Sequence, residues 1–445
     1  MKLPGWDRLL AASPVSRRLL AGSGLTLGLR IFGVALAYAS HLVLSRLLGL
    51  HDYGIYVILL GWAMLLSVPA RLGFDTSALR YATVYLEQED WPSLRGFVSL
   101  AFGGVTALSV LLAIGMVVFG HHTAPSTPPS DILWASTIIV PTALIGLLSS
   151  MMLTARKFFA AQFFDQLFRP ALILLFVGGS TLAGGVMFGT REALIATSAA
   201  SVVALLALFI NFAAVFRHSL RAAPDFSRAL TWLQVSFPLL VITGVQELTN
   251  QLQIIMLGGL AHARDAGLYA AAWRLASLMS FGLAALSTVS GPMIASAYHR
   301  GESGELGRLA SVSARIALAF AIPAAIVLWL AGPALLSLFG KDFVAAYPVL
   351  LVLIFGALAN AFTGVVAYLL TLTGREVAAL GIFAGALTLS AALNVLLIPQ
   401  WGAVGAAFAS AAGTLFWNLT MLVLVRRHLG IDASALAWQP SRSGG

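Results

Sequence analysis

The chain contains no cysteine, which removes disulfides, thiolate nucleophiles and cysteine metal sites together. Charge is scarce as well: Asp, Glu, Lys and Arg make up 10% of the 445 residues, against about a quarter in an ordinary soluble domain. Although the formal net charge is +9, the basic residues stand singly or in pairs in short connections. They form no block interleaved with aromatics, so nucleic acid is not an expected partner. There is no Gly-rich phosphate loop carrying a lysine and no nucleophile elbow of the Gly-x-Ser-x-Gly kind, which argues against an ATP-driven pump and a serine hydrolase. His41, His121, His122, His262 and His299 are dispersed without ligand spacing, and no metal site is expected.

What fills the chain is apolar: 59% of residues, with a mean hydropathy of +0.92. A bilayer core takes about 20 apolar residues per helix, and runs of that length recur to the C-terminus. The sequence predicts an all-α, polytopic membrane protein of about twelve spans, near 22–46, 53–72, 96–119, 132–154, 170–188, 193–215, 235–259, 268–292, 312–331, 346–370, 377–397 and 403–425. Arg17 and Arg18 precede a first run with no small-residue cleavage site, so it reads as an uncleaved helix rather than a signal peptide. Residues 1–19, with Trp6, Leu9 and Leu10 among basic residues, suit an interfacial segment at the cytoplasmic headgroups.

Asp52-Tyr53-Gly54-Ile55-Tyr56 recurs as Asp265-Ala266-Gly267-Leu268-Tyr269, 213 residues later. Each copy sits in a turn leading into an apolar run, and each half contributes six spans with a polar stretch after its second. The halves therefore read as a duplication. The expected division is an N-terminal six-helix bundle over 20–216, a cytoplasmic linker over 217–231, a C-terminal six-helix bundle over 232–428 and a cytoplasmic tail over 429–445. Of the 26 basic residues, twenty fall in connections on one side and four (Arg46, Arg191, Arg264, Lys341) on the other, which places both termini in the cytoplasm. Six spans per half is an even number, so the second half enters with the orientation of the first. The expected arrangement is two parallel-repeat bundles around a central cavity, walled mainly by spans one, two, seven and eight.

Arg30, Glu247 and Arg274 are ionisable residues inside spans. Each costs about 2.5–3.5 kcal/mol on insertion scales if it faces lipid, so such residues usually face a bundle interior or a watery pathway. Two readings are open for Arg274: a buried pair with Glu247 holding the second bundle together, or a cavity cation. Arg30 has no acid in its own span or the next. Two arginines against one glutamate favour an anionic ligand. Tyr38, Trp62, Tyr269, Trp273 and Tyr368 are candidate aromatic walls for stacking on sugar rings, and also candidates for packing or interface belts. Arg46 and Asp52 at the outer end are a candidate gate pair, with a surface ion pair worth about 0–1 kcal/mol as the plainer role.

The run 47–56 (LLGLHDYGIY), then Leu72-Gly73-Phe74 and Arg80-Tyr81, resembles the first two spans of Wzx-type polysaccharide flippases in the multidrug/oligosaccharidyl-lipid/polysaccharide (MOP) exporter superfamily. The second half resembles it through 267–274 (GLYAAAWR), Gly340-Lys341-Asp342-Phe343 and 398–407 (IPQWGAVGAA). The resemblance implies two six-helix bundles facing a central cavity and a transporter rather than an enzyme. It further implies export of undecaprenyl-pyrophosphate-linked oligosaccharide across the bacterial inner membrane by alternating access, for O-antigen, lipopolysaccharide, capsule or exopolysaccharide. Arg30 and Arg274 would then bind the pyrophosphate. Expected partners are the lipid-linked oligosaccharide, membrane lipids, a glycan polymerase and chain-length machinery. No cofactor is expected, and a proton or sodium gradient is left open as the energy source. The rivals are a drug or cation antiporter of the same superfamily, which would want an acidic cavity, a membrane-embedded glycan polymerase or ligase, which would want a large outer loop, and a scaffold for glycan assembly.

Overall fold

The computed structural model describes residues 14–123, 127–182 and 188–437. Most of the expected interfacial segment 1–19 and the end of the tail, 438–445, lie outside the described residues. In chain order the helices are α1 (Pro14–Ala70), α2 (Phe74–Glu87), α3 (Trp91–Thr123), α4 (Pro129–Ser136), α5 (Ile139–Thr154), α6 (Phe158–Phe163), α7 (Arg169–Leu182), α8 (Thr190–Val215), α9 (Arg217–Arg221), α10 (Ala229–Leu260), α11 (Ala263–Ser277), α12 (Ser280–His299), α13 (Ser303–Ser337), α14 (Tyr347–Thr363), α15 (Val366–Leu372) and α16 (Glu376–Leu429). The described residues contain no strand. The chain is a polytopic all-α membrane protein.

Among the described residues, nine helical stretches are long and apolar enough to cross a bilayer. Two of these, Ile31–Glu87 and Glu376–Leu429, run 57 and 54 residues. At 1.5 Å per residue each is over about 80 Å long, more than twice the hydrocarbon thickness. Both break at a glycine: Gly49 in α1 (φ 72°, ψ 178°) and Gly402 in α16 (φ 51°, ψ −128°). Only a residue without a Cβ takes such dihedrals freely, so each stretch holds two passes, with the reversal where the sequence placed a connection. The pass expected at 268–292 is divided between α11 and α12. The nine stretches and this divided pass account for the twelve expected spans.

Several boundaries differ from expectation, two of them with a visible physical cause. Span five begins upstream, because α6, a π-turn over Phe164–Phe168 and α7 follow without a break, and Arg169 lies within this run rather than in a connection. Its charge is met one turn away by Asp165 at 3.1 Å. Span ten ends early at Thr363, where Gly364 (φ 59°) packs so closely on Ala314 that a Cβ would lie 2.7 Å from its Cα.

The described chain groups into two compact units by packing. The first takes residues 66–119 and 128–241 with the start of the chain. Its core is aromatic: Phe74, Phe97, Tyr85 and Trp232 are buried, Phe97 meets Trp232 edge-on at 5.4 Å, and the Trp232 indole N–H donates to the Tyr85 hydroxyl at 3.0 Å. Part of the segment expected as a linker packs here, since the backbone N–H of Asp225 donates to the Pro92 carbonyl at 3.0 Å. Asp225 is held below the usual carboxylate range by the backbone and hydroxyl hydrogen bonds from Ser227.

The second unit takes 45–65 and 242 onward. Ile431 and Ala433 are buried in one of its apolar cores with Ile294, Leu306, Val365 and Val425. The chain after α16 is strapped down: the N–H of Ala435 donates to the Phe362 carbonyl at 3.0 Å, and Arg315 donates to the carbonyls of Ala435, at 3.1 Å, and Ala437. Asp432 pairs with Arg426. Burial alone would raise the Asp432 carboxyl; the backbone N–H of Ser434 and the Arg426 guanidinium together hold it below its ordinary range.

Candidate functional site

The two copies of the duplicated motif meet inside the second unit. A Cβ on Gly54 would overlap the carbonyl of Ala263, and one on Gly267 would lie 2.8 Å from the carbonyl oxygen of Leu50. Residue 263 is the counterpart of residue 50 under the 213-residue shift, as 267 is of 54. Each motif's glycine thus receives the backbone of the other motif at the equivalent position. Close approach of this kind is what small residues provide between membrane helices. The Asp265 carboxylate accepts from the backbone N–H of Ala403 at 3.2 Å, tying the second motif to the Gly402 break. A Cβ on Gly402 would sit 2.5 Å from the same carboxylate oxygen.

This crossing positions Arg274. Tyr53, the second residue of the first motif, is fully buried, edge-on to Phe343 at 5.6 Å, and its hydroxyl accepts from the Nε–H of Arg274 at 3.2 Å. Glu247 looks elsewhere: its carboxylate accepts from the Gln251 side-chain amide at 2.8 Å. Among the described residues no ion pair includes Arg274. Its guanidinium is half-buried and held by a neutral hydroxyl, so the pair with Glu247 that was one of the two readings is not formed.

The remaining expected residues divide. Tyr269 is 2% exposed and hydrogen-bonded to Ser410, which makes it a packing residue of the bundle. Its neighbour Trp273 is 38% exposed and lines a cleft of about 270 Å³ with Ser277, Asn360, Ser410 and Thr414. Trp62 is half-buried, and its enclosed indole N–H meets no acceptor among the described residues. Tyr38 is half-buried, and Tyr368 is 46% exposed. Arg46 donates from Nε to the Leu338 carbonyl at 2.6 Å, beside the Ser45 hydroxyl on the Phe339 carbonyl at 3.0 Å; Asp52 is half-buried. The side chain of Arg30 lies outside the described residues.

A second, larger cavity of about 460 Å³ opens within the same unit between α10 and the two arms of α16. Gln246, Thr249, Asn250 and Gln253 line it from α10. They are spaced i, i+3, i+4 and i+7, a single helical face. That row of three amides and a hydroxyl was legible in the sequence but carries no charge, so a search for ionisable residues within spans does not find it. Tyr53, as the partner of Arg274, had no sequence signal: the two are 221 residues apart.

The family model for polysaccharide biosynthesis protein matches residues 19–298, well over half of the chain. The chain belongs to the polysaccharide biosynthesis protein family. A second model, MatE, matches residues 238–396. No curated protein sequence matches the chain. Among solved structures, the lipid II flippase MurJ in its inward closed conformation matches with a TM-score of 0.73 at 15% identity, over 90% of this chain and 87% of that one. An inward-facing multidrug-resistance MATE family transporter of the MOP superfamily matches at 0.69 and 13%, over 89% and 94%. A MOP superfamily transporter from Pyrococcus furiosus, described as having a binding pocket of reversed polarity, matches at 0.59 and 13%, over 97% and 99%. At such identities the likeness is one of fold, and the fold is that of the MOP superfamily. These relatives are transporters and flippases, not enzymes.

Proposed function

We propose that this protein is a flippase that carries an undecaprenyl-pyrophosphate-linked oligosaccharide from the cytoplasmic to the periplasmic leaflet of a bacterial inner membrane, for O-antigen, capsule or exopolysaccharide assembly. The observation that carries this reading is Arg274: a guanidinium inside a membrane segment, held by the Tyr53 hydroxyl and without an ion pair among the described residues. A cation placed at this cost and left uncompensated attracts an anion. Arg274 binds the pyrophosphate through charge-assisted, bidentate hydrogen bonds, with Arg30 of the first span as its companion. The polyprenyl tail stays in the bilayer while the sugars cross by alternating access. No cofactor takes part, and a proton or sodium gradient supplies the energy. A glycan polymerase and chain-length machinery act on the product.

Glycan export in a strain lacking its own flippase tests this, at protein levels matched by immunoblot. Arg274→Ala abolishes export, Arg274→Lys keeps part of it because Lys retains charge but not the planar fork, and the Glu247→Gln, Arg274→Gln double variant stays inactive. Wild-type export by that double variant would show that Arg274 is only half of a structural pair, whose removal as a whole is often neutral. The MatE match over 238–396 favours one other reading, a cation or drug antiporter. In that case Glu247→Gln alone, rather than the arginine variants, abolishes transport, and the cargo is an organic cation.

A further inference from the structure

The larger cavity of the second unit differs in chemistry from the surroundings of Arg274. No Lys, Arg or His lines it, and its one carboxylate, Glu376, is the exposed first residue of α16. The interior wall is neutral: Gln246, Asn250 and Gln253 from α10 and Ser390, Ser410 and Thr414 from the two arms of α16 set a polar stripe in an otherwise apolar lining. Amides and hydroxyls both donate and accept, which is the pattern a sugar's hydroxyl groups present in return. Phosphate would find no cation here, and a lipophilic cation no buried carboxylate. The apolar part of the lining, which includes Ile242, Val245, Leu380 and Leu387, carries a ring pair, Phe383 and Trp417, with centroids 5.2 Å apart and planes tilted by 44°, an apolar face of the kind that stacks on the C–H side of a pyranose.

The wall is also braced. Gln253, 5% exposed, donates to the Ser390 hydroxyl at 3.1 Å, and that hydroxyl donates to the Ala409 carbonyl at 3.2 Å, joining all three passes around the cavity. The volume of about 460 Å³ falls within the range of about 300–1,000 Å³ for small-molecule sites.

We propose that this cavity is a saccharide subsite: it takes one or two neutral sugar rings of the cargo by amide and hydroxyl hydrogen bonds and by stacking on Trp417, apart from the anionic end. The proposal rests on the flippase reading, and its test is independent of export. The purified full chain in lipid nanodiscs is titrated calorimetrically with two neutral disaccharides, maltose and N,N′-diacetylchitobiose, and with tetraphenylphosphonium and inorganic pyrophosphate as contrasts. At least one disaccharide binds saturably in the millimolar range. Asn250→Leu and Trp417→Ala each weaken it tenfold or more, Trp417→Phe restores most of it, and Trp401→Phe, an exposed tryptophan outside the cavity, leaves it unchanged. Thermal unfolding identifies any variant that fails to fold; Asn250, exposed on the wall, carries the test if Trp417→Ala does. Binding of tetraphenylphosphonium without either disaccharide, or disaccharide affinity unchanged in folded Asn250→Leu, overturns the subsite. Disaccharide binding that persists while the Arg274 series exports normally would instead overturn the flippase reading and leave the subsite standing.

Discussion

A guanidinium whose neighbour is a phenol has been oriented without being neutralised, and that is the condition of Arg274. Hydrogen bonds to charged groups contribute about 1.5–3 kcal/mol. Tyr53→Phe keeps the ring packed against Phe343 and removes only the acceptor. The expected result is a folded protein of lower thermal stability, with export reduced but above the Arg274→Ala level; unchanged melting in detergent would mean that Tyr53 does not hold the arginine. Arg274 itself was legible, because a lone charge in an apolar run is conspicuous whatever the fold. Its partner was not: hydropathy and helical spacing report on neighbours within a few turns, and Tyr53 reaches Arg274 only through a helix crossing. The same blindness made the Glu247 pairing a fair expectation, since closeness along adjacent spans does not say which face each side chain takes.

The glycines separate elements that must touch from elements that need not. Gly54→Ala drives a methyl group into the Ala263 carbonyl, and backbone cannot rotate away as a side chain can. Overpacking of this kind costs about 1–3 kcal/mol. Gly267→Ala, with its nearest contact at 2.8 Å, should be affected in the same direction. Gly103→Ala in α3, where a Cβ would meet nothing within 4 Å, should be neutral or stabilising by up to about 1 kcal/mol. Fluorescence-detected size exclusion after a heat ramp measures all three; equal melting across the set would refute the close crossing. The duplicated motif was visible from the sequence, as were the connections that hold Gly49 and Gly402, because turn residues interrupt long apolar runs; that the helix breaks at those two glycines was not. What the Asp and Gly of the motif do was not visible: Asp265 meets Ala403 and Gly54 meets Ala263 through contacts that no local pattern encodes.

For the whole molecule, the number of passes was readable because bilayer thickness fixes the length of an apolar run. The ends were less so: helices run on past the apolar stretch that hydropathy marks, as α6 does upstream of Arg169 and α13 does upstream of residue 312. Orientation follows from the basic residues, so a reporter fused after Ser126 should lie in the periplasm and one fused after Ala223 in the cytoplasm. The opposite outcome at either position would invert the reading of both halves. The reciprocal contact of the two motifs carries a consequence of a historical kind. Residue 54 meets 263 and residue 267 meets 50; with numbering folded at 213, these are one contact written twice. That is the signature of a self-complementary surface shared by two identical chains about a two-fold axis. A six-span ancestor would have made it by pairing with its own copy, and gene fusion would have freed the two copies to diverge, so that Gly61 stands in one where Arg274 stands in the other.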